Sequence, residues 1–189
     1  MTSRDQVPAA PLGGIEVFRT DRLFVRKWRP ADEPDLLTLY GTDIVVRWVD
    51  DGQALSAVEA ARWMEVTFSN YERRGYGMFA IEDSRTSKTI GFGGLVHPGN
   101  QDLAEVKYAF FPEVWGRGIA TEFVLGLKKW AMSAHGLTHM IATVAPENVA
   151  SQRVLVKSGF RKIEARMESE GRRTEVFEVH LNEAESGNS

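Results

Sequence analysis

The chain has 189 residues, of which 43% are hydrophobic and 26% charged, values that suit one soluble globular domain with a substantial core. Its formal net charge of −3 leaves no basic excess for nucleic-acid binding, and without cysteine it has no disulfide, no Cys-ligated zinc and no Cys nucleophile. No apolar run approaches the roughly 18 residues of a membrane helix, and the N-terminus lacks the apolar segment of a signal peptide, so we expect a cytoplasmic protein that does not bind membranes.

The two ends of the chain differ in composition from its middle. Residues 1–14 are rich in Pro, Ala and Gly, and residues 183–189 resemble them, so we expect a flexible arm and a flexible tail. Between these ends the sequence contains no linker and no internal repeat. Residues 15–182 are therefore expected to form a single domain.

The first half of this domain is predicted to contain one strand and two helices. Residues 22–28 are predicted to form the strand, and the first helix is expected to start at Pro30. Ser56 is expected to cap the second helix, because Glu59 three residues later completes a capping box. Apolar residues then recur at the three- and four-residue spacing of a buried helical stripe, and Gly75 is expected to end that helix.

The second half is predicted to alternate strands with helices. Three strands are expected over residues 78–82, 89–96 and 103–111, joined by segments that suit hairpin loops. The elements expected after them are a helix over 118–134, a strand over 138–144, a short helix over 149–158, and a final hairpin of residues 160–166 and 174–181. Antiparallel strands followed by a strand–helix–strand crossover predict an α/β (α+β mixed) fold, with a mixed sheet and helices on both faces.

The most informative feature is the glycine turn, Trp115 to Gly118. Its two glycines, Gly116 and Gly118, come directly after a predicted strand and directly before a long predicted helix. Free backbone N–H groups at a helix start bind anions, and glycine lets the backbone approach a ligand closely. The turn is therefore predicted to bind a phosphate or a pyrophosphate.

A second motif covers residues 147–160, where a predicted strand gives way to the short helix. Asn148 is expected to cap this helix, and its amide can also form a hydrogen bond to a ligand amide. Ser151 lies one turn further on, on the same side of the helix. His135 and His139 have the spacing of a helical metal pair, but Gly136 and a predicted strand follow His135, so we expect no metal site.

Together, these two motifs resemble those of the GNAT superfamily of N-acetyltransferases. Residues 20–26, Thr-Asp-Arg-Leu-Phe-Val-Arg, resemble the start of its Rim-type branch, the ribosomal-protein and small-amine acetyltransferases. The resemblance implies the GNAT fold, in which a mostly antiparallel mixed sheet splays apart between two parallel strands. It also implies acetyl-CoA as the cosubstrate, no metal, and a primary amine as the acceptor, either a protein N-terminal α-amine or a small-molecule amine.

The resemblance also assigns residues to the cosubstrate. In the family, acetyl-CoA lies in a V-shaped opening between two parallel strands, which here would be residues 103–111 and 138–144. Gly118 and Ala120 match the family's pyrophosphate turn, whereas Trp115 stands where Gln or Arg is usual. The cosubstrate-binding residues are then Phe110, Phe111, Trp115, Gly116, Arg117, Gly118, Ile119, Ala120, Thr121, Asn148 and Ser151.

For catalysis, the absence of cysteine favours direct attack of the amine in a ternary complex. Glu105 is implied as the general base, because Rim-type enzymes often carry Ala-Glu-(Ile/Val)-x-Tyr, which residues 104–108 match. Apolar walls would raise its pKa, whereas Lys107, on the same face of the strand, would pair with it and lower its basicity. Ser151 is implied to protonate, or donate a hydrogen bond to, the departing sulfur, and Tyr108 is expected to be a half-buried strand residue.

Several alternatives stay open. Trp48, Asp50, Asp51 and Trp63 either frame a pocket for a cationic amine or, in the simpler interpretation, form part of the core and a turn. Lys107 would suit another acyl donor such as succinyl-CoA, and a compromised base would suit a CoA-binding sensor without turnover. Several family members form dimers through their last strands, so a homodimer is also open.

A dinucleotide-binding oxidoreductase is excluded by the same glycine turn. Thr121 stands at the third glycine position of the G-x-G-x-x-G fingerprint, and the preceding strands lack a βαβ pattern.

Overall fold

The computed structural model describes residues 14–49, 52–167, 171 and 173–181. Nearly all of the expected N-terminal arm and the whole of the expected tail lie outside these ranges, so both stay predictions. No helix among the described residues is both long and apolar enough to span a membrane.

Strands and helices alternate along the described chain. The strands are β1 (Glu16–Arg19), β2 (Leu23–Lys27), β3 (Met78–Asp83), β4 (Thr89–Val96), β5 (Ala104–Phe110), β6 (His139–Val144), β7 (Arg161–Lys162), β8 (Arg166–Met167) and β9 (Arg173–His180). The helices are α1 (Glu33–Tyr40), α2 (Asp43–Val46), α3 (Ala57–Arg74), α4 (Ile119–His135) and α5 (Val149–Lys157).

These strands form one sheet in the order β1-β2-β3-β4-β5-β6-β9-β7, and β8 pairs with β9. Neighbouring strands are antiparallel except for β5 and β6, which are parallel because the long helix α4 crosses over between them. The predicted mixed, mostly antiparallel sheet with one parallel pair is confirmed.

Helices cover both faces of the sheet. On one face α4 and α5 pack on a core that includes Phe123, Leu127 and Leu155. On the other face α1, α2 and α3 pack on a second core that includes Leu36 and Met64. A strand buried on both faces needs apolar side chains at successive positions, and residues 78–81 of β3 are Met, Phe, Ala and Ile.

The predicted ends of α3 are confirmed. Ser56 Oγ accepts a hydrogen bond from the Glu59 backbone N–H at 3.3 Å, and the Glu59 carboxylate accepts one from the Ser56 N–H at 2.8 Å. Gly75 follows the helix in the left-handed region, with φ 77°. This reciprocal capping satisfies two N–H groups that the first turn leaves without helical partners.

Other elements differ from the sequence predictions. β1 is a short edge strand and α2 a single turn, and neither was predicted. The helix expected to start at Pro30 begins as a 3-10 turn, and α1 itself starts at Glu33, because the Asp32 carboxylate accepts the Arg29 N–H at 2.8 Å within that turn. The predicted final hairpin contains two short strands, β7 and β8, which both pair with β9.

The feature that creates a site is the early end of pairing between β5 and β6. Their parallel register covers only two residue pairs, Ala104 with Met140 and Glu105 with Ile141. Beyond these pairs β5 stays bonded to β4 as far as Phe110, and β6 stays bonded to β9 as far as Val144. The two strands therefore diverge, as predicted, and leave a V-shaped opening in the sheet.

Candidate active site

The opening between β5 and β6 continues into a cleft of about 530 Å³. Its walls come from residues 106–110 of β5, residues 142–144 of β6, the glycine turn with the start of α4, and α5. It also reaches the opposite face of the sheet, where α1–α3 lie. The cleft therefore passes through the sheet and is accessible to two different molecules.

Most of the residues assigned to the cosubstrate line this cleft. They are Phe110, Trp115, Gly116, Gly118, Ile119, Ala120, Thr121, Asn148 and Ser151. Phe111 and Arg117 are not among the lining residues. Phe111 instead donates its N–H to Ile90 O on β4 at 3.0 Å, and the side chain of Arg117 is exposed.

The glycine turn has the backbone geometry that an anion site requires. Gly116 and Gly118 have φ values of 72° and 77°, in the left-handed region that favours glycine. The space that a Cβ at Gly116 would enter is open, and Gly118 directly precedes the first turn of α4. Trp115 Nε1 donates a hydrogen bond to Phe110 O at 2.8 Å, so this indole fixes the turn to the end of β5.

A brace from the N-terminal part of the chain holds the start of α4. Arg22 forms an ion pair with Glu122 at 2.6 Å and donates a hydrogen bond from Nη1 to Arg117 O at 2.9 Å. Thr20 donates its hydroxyl to the same carboxylate at 2.5 Å. Partial burial raises the pKa of Glu122, but hydrogen bonds from Thr20 and Arg22 outweigh this and lower it overall. Sequence analysis missed this brace, because its members lie about a hundred positions apart.

Two hydroxyl groups meet in the wall of the cleft. Tyr108 Oη on β5 lies 2.9 Å from Ser151 Oγ on α5, and both residues line the cleft. Ser151 is positioned by the predicted cap, since its N–H donates to Asn148 Oδ1 at 3.1 Å. Burial raises the pKa of Tyr108 to about 12, so the phenol keeps its proton at neutral pH. We call Tyr108 and Ser151 the hydroxyl pair.

Glu105 lies behind the cleft wall rather than in it. Its side chain is buried at 2% exposure, and its carboxylate pairs with Lys107 Nζ at 2.6 Å. Thr143 donates its hydroxyl to the same oxygen, and Gln101 Nε2 donates to the other oxygen at 3.2 Å. Lys107 and Thr143 line the cleft, whereas Glu105 is absent from its lining.

These contacts decide the direction of the Glu105 pKa shift. Burial raises the pKa, but the ammonium group of Lys107 and the hydrogen bonds from Thr143 and Gln101 outweigh it, so the net pKa is lowered. The expectation that apolar surroundings would raise it is wrong. The predicted pairing with Lys107 is present.

On the α1–α3 side, the cleft wall is aromatic. Trp48 and Trp63 both line it, together with Tyr40 and Phe92. Trp63 also packs on the second core, as the simpler interpretation predicted. Asp50 and Asp51, named with the tryptophans as candidates for binding a cationic amine, lie outside the described residues.

His135 and His139 lie on different elements and do not form a metal pair on one helix. His135 ends α4 and packs against Trp130 with ring centroids 4.7 Å apart, whereas His139 lies on β6. In the described part of the chain one other group has possible metal ligands close together, His139, Glu178 and His180. Arg161 also pairs with the Glu178 carboxylate, and none of these residues lines the cleft.

The pattern of motifs in this cleft matches a known family. The family model for the acetyltransferase (GNAT) domain matches residues 22–161. The chain belongs to the GNAT acetyltransferase family.

The alignments with similar proteins cover most of this chain. It is 31% identical over 150 residues to YoaA, an uncharacterised N-acetyltransferase of Bacillus subtilis, covering 77% of this chain and 83% of that protein. It is 30% identical over 145 residues to an L-2,4-diaminobutyric acid acetyltransferase of Streptomyces coelicolor, covering 76% and 71%.

Solved structures agree on the fold. The ribosomal L7/L12 α-N-protein acetyltransferase RimL, in complex with coenzyme A, is similar with a TM-score of 0.75 at 16% identity, covering 88% of this chain and 98% of that one. The GNAT fold is therefore confirmed, and at the level of fold the likeness agrees with the Rim-type resemblance.

Family membership settles the activity of this GNAT protein. It is an acetyl-CoA-dependent N-acetyltransferase that transfers an acetyl group to an amine. The cleft fits this cosubstrate, because two glycines in the left-handed region expose backbone at the start of α4 and the diverging strands leave room for an extended arm.

Proposed function

We propose that the amine attacks the thioester directly in a ternary complex, and that the hydroxyl pair stabilises the departing thiolate. The observation that carries this proposal is the 2.9 Å contact between Tyr108 Oη and Ser151 Oγ in the wall of the cleft. A phenol whose pKa is raised to about 12 is protonated at neutral pH and can donate to a sulfur on which charge develops. Ser151 either donates to the same sulfur or orients the phenol.

The same proposal assigns acetyl-CoA to one end of the cleft. The pyrophosphate would bind at the glycine turn, with most of the contacts from backbone N–H groups and with Arg117 able to reach a phosphate oxygen. The pantetheine arm would pair with the open backbone edge of β5 near Tyr108 and Phe110, since the Phe111 N–H already donates to Ile90 O on β4. Asn148 would hold the pantetheine amide while it caps α5. The residues assigned to the turn are Trp115, Gly116, Arg117, Gly118, Ile119, Ala120 and Thr121.

Glu105 is proposed as the transient acceptor of the amine proton, acting through Thr143. The Thr143 hydroxyl lines the cleft and donates to the Glu105 carboxylate, so it can take a proton from the amine as it passes its own to Glu105. The lowered pKa keeps Glu105 ionised at neutral pH but makes it a weak base. This role suits an amine that reaches the site already largely neutral.

Substitution of the hydroxyl pair tests the proposal. We expect Ser151→Ala and Tyr108→Phe each to lower kcat by roughly tenfold to a hundredfold, with little change in the affinity for acetyl-CoA. The double variant should lose less than the product of the two single losses, because the two hydroxyls act as one unit. The assay is amine-dependent release of the CoA thiol.

Ser133→Ala is the matched control. Ser133 Oγ, on the exposed side of α4, bonds only its own helix, at Trp130 O. Its variant should retain the wild-type rate. Wild-type turnover in both Ser151→Ala and Tyr108→Phe would remove the hydroxyl pair from the mechanism.

The same thiol-release assay tests which acyl-CoA is the donor and whether the protein catalyses transfer at all. Lys107 is a cation in the cleft wall that would favour an acidic acyl chain, so succinyl-CoA is the competing donor. We expect acetyl-CoA to be used faster, because Glu105 already neutralises Lys107 at 2.6 Å. Saturable binding of acetyl-CoA without thiol release for any amine would instead indicate a sensor.

We further propose that residues 15–182 act as one domain and that the protein works in the cytoplasm. The two cores share one sheet, which supports a single folding unit. A homodimer through the edge of the last strand would have to displace β7 and β8, because β9 already pairs with them and with β6. A dimer, measured by sedimentation, would therefore not form by adding a strand directly to β9.

A further inference from the structure

The α1–α3 side of the cleft, which we call the acceptor end, has a wall of aromatic rings that pack against one another. Tyr40 and Phe92 are buried and stack with centroids 5.5 Å apart, and Trp63 meets Phe92 edge to face at 5.8 Å. Trp48 stands at the rim with 38% exposure. These rings line the cleft and form a preorganised apolar surface that excludes water from whatever binds there.

The described part of this wall carries no acidic group that a polyamine site would need. Among the described lining residues there is no Asp or Glu, and the Lys107 ammonium group, where β5 and β6 diverge, is already paired with the Glu105 carboxylate at 2.6 Å. A second ammonium group on the acceptor would lie against apolar rings, with no carboxylate among the described lining residues to pair with it. Polycationic acceptors are therefore disfavoured.

The same surroundings help an amine to react. A substrate ammonium held against these buried rings loses its proton more readily than in water, because burial favours the neutral form. An apolar body on the acceptor gains binding free energy from the ring wall, which compensates for the loss of hydration. Both effects favour a single amine carried on an apolar group.

We propose that the acceptor is a primary monoamine on an aromatic or branched aliphatic body, bound against the rings of Tyr40, Trp48, Trp63 and Phe92. This inference rests on the proposed function, since it names the second substrate of the same cleft. The amine nitrogen forms a bond to the acetyl carbon as the C–S bond breaks. One N–H proton is transferred, in net terms, to the sulfur to give the CoA thiol, and an amine that arrives as an ammonium ion releases its extra proton to water.

A panel of amines tests the acceptor class. With saturating acetyl-CoA, we expect kcat/KM for phenethylamine and 3-methylbutylamine to exceed that for ethanolamine, 1,4-diaminobutane and spermidine by at least about tenfold. A hexapeptide with a free polar N-terminus is included as the macromolecular alternative. A higher kcat/KM for a polyamine or for this peptide would overturn the proposed class and leave acetyl transfer intact. Thiol release with none of the amines, although acetyl-CoA binds, would contradict the proposed function itself.

Variants of the ring wall connect the preference to these residues. Trp48→Ala, at the rim, should raise KM for phenethylamine about tenfold and leave KM for acetyl-CoA and for ethanolamine unchanged. Trp63→Ala should act in the same way, and its thermal melting curve shows whether the loss of its core contacts has unfolded the protein. Val58→Ala is the control, since Val58 on α3 is 80% exposed and lies outside the cleft lining. An unchanged KM for phenethylamine in folded Trp48→Ala and Trp63→Ala would overturn the proposal.

Discussion

At the scale of single residues, Glu105 shows how polar neighbours reverse the effect of burial on a carboxylate pKa. A buried carboxylate in apolar surroundings holds its proton, but Lys107, Thr143 and Gln101 all stabilise its ionised form. Its pKa therefore lies below the ordinary value, and Glu105 is ionised at neutral pH. We therefore expect loss of activity below neutral pH to come from protonation of the amine rather than of Glu105.

Glu105→Gln separates a chemical role from a structural one. If Glu105 accepts the proton through Thr143, we expect kcat to fall roughly a hundredfold at neutral pH, with acetyl-CoA affinity nearly unchanged. The pH–rate profile of the variant should keep the wild-type shape at a lower height, because in both proteins the rate rises as the amine loses its extra proton. Stopped-flow or steady-state thiol release across pH 6–9 gives both readouts. A profile that matches the wild type in height and shape would leave Glu105 with the single role of holding Lys107.

At the scale of elements, the two ends of α4 have the same backbone geometry but different surroundings. Gly118 precedes the helix and Gly136 follows it, with φ values of 77° and 62°. A Cβ at Gly136 would meet nothing within 4 Å, and one at Gly118 would meet only the Arg22 guanidinium, at 3.7 Å. Only Gly118 lines the cleft. Substituting each of these two glycines by the same residue therefore distinguishes the effect of backbone strain from the effect of blocking the proposed cosubstrate site.

We predict that Gly118→Trp abolishes acetyl-CoA binding, because the side chain blocks close approach to the backbone of the turn. Gly136→Trp should bind acetyl-CoA normally. Each variant should lose about 1–2 kcal/mol of stability, since both place a non-glycine residue in the left-handed region. Calorimetric titration with acetyl-CoA and chemical denaturation measure the two effects. Retained affinity in Gly118→Trp would refute the glycine turn as the pyrophosphate site.

Some of these elements could be predicted from local sequence patterns, and others could not. The caps of α3 and α5 and the position of the glycine turn follow from residues within a few positions of one another, so local patterns predicted them. The hydroxyl pair brings Tyr108 and Ser151 together from different elements, and the brace joins Arg22, between β1 and β2, to Glu122 on α4. Such contacts depend on strand order, which periodicity does not specify. β1 escaped prediction because an edge strand of four residues has little alternating pattern of its own.

At the scale of the whole molecule, the sheet separates two cores and the cleft connects them through one gap. The core under α4 and α5 borders the end of the cleft that we propose for the cosubstrate, and the core under α1–α3 borders the end that we propose for the acceptor. The acceptor side therefore depends on how firmly α1 is held to the sheet. Besides the apolar contacts of α1 with the second core, an ionic network holds its start: Arg26 on β2, 1% exposed, pairs with Asp32 at 2.5 Å and with Glu82 on β3 at 2.6 Å.

This buried network gives a prediction about acid stability. Burial raises the pKa of Asp32, but hydrogen bonds from Arg29 and Arg26 outweigh it, so the folded-state pKa lies below the unfolded value. The network therefore stabilises the protein fully above the unfolded pKa, near pH 4, and its contribution is lost as pH falls through the lower folded-state pKa.

Asp32→Asn should lower the free energy of unfolding at pH 7 by about 3–5 kcal/mol, because it leaves part of the Arg26 charge buried and unpaired. It should also flatten the fall in stability below pH 4. Urea titrations at several pH values, with the exposed Asp102→Asn as control, measure both effects; a variant with unchanged stability at pH 7 would mean that the network contributes nothing to holding α1 against the sheet.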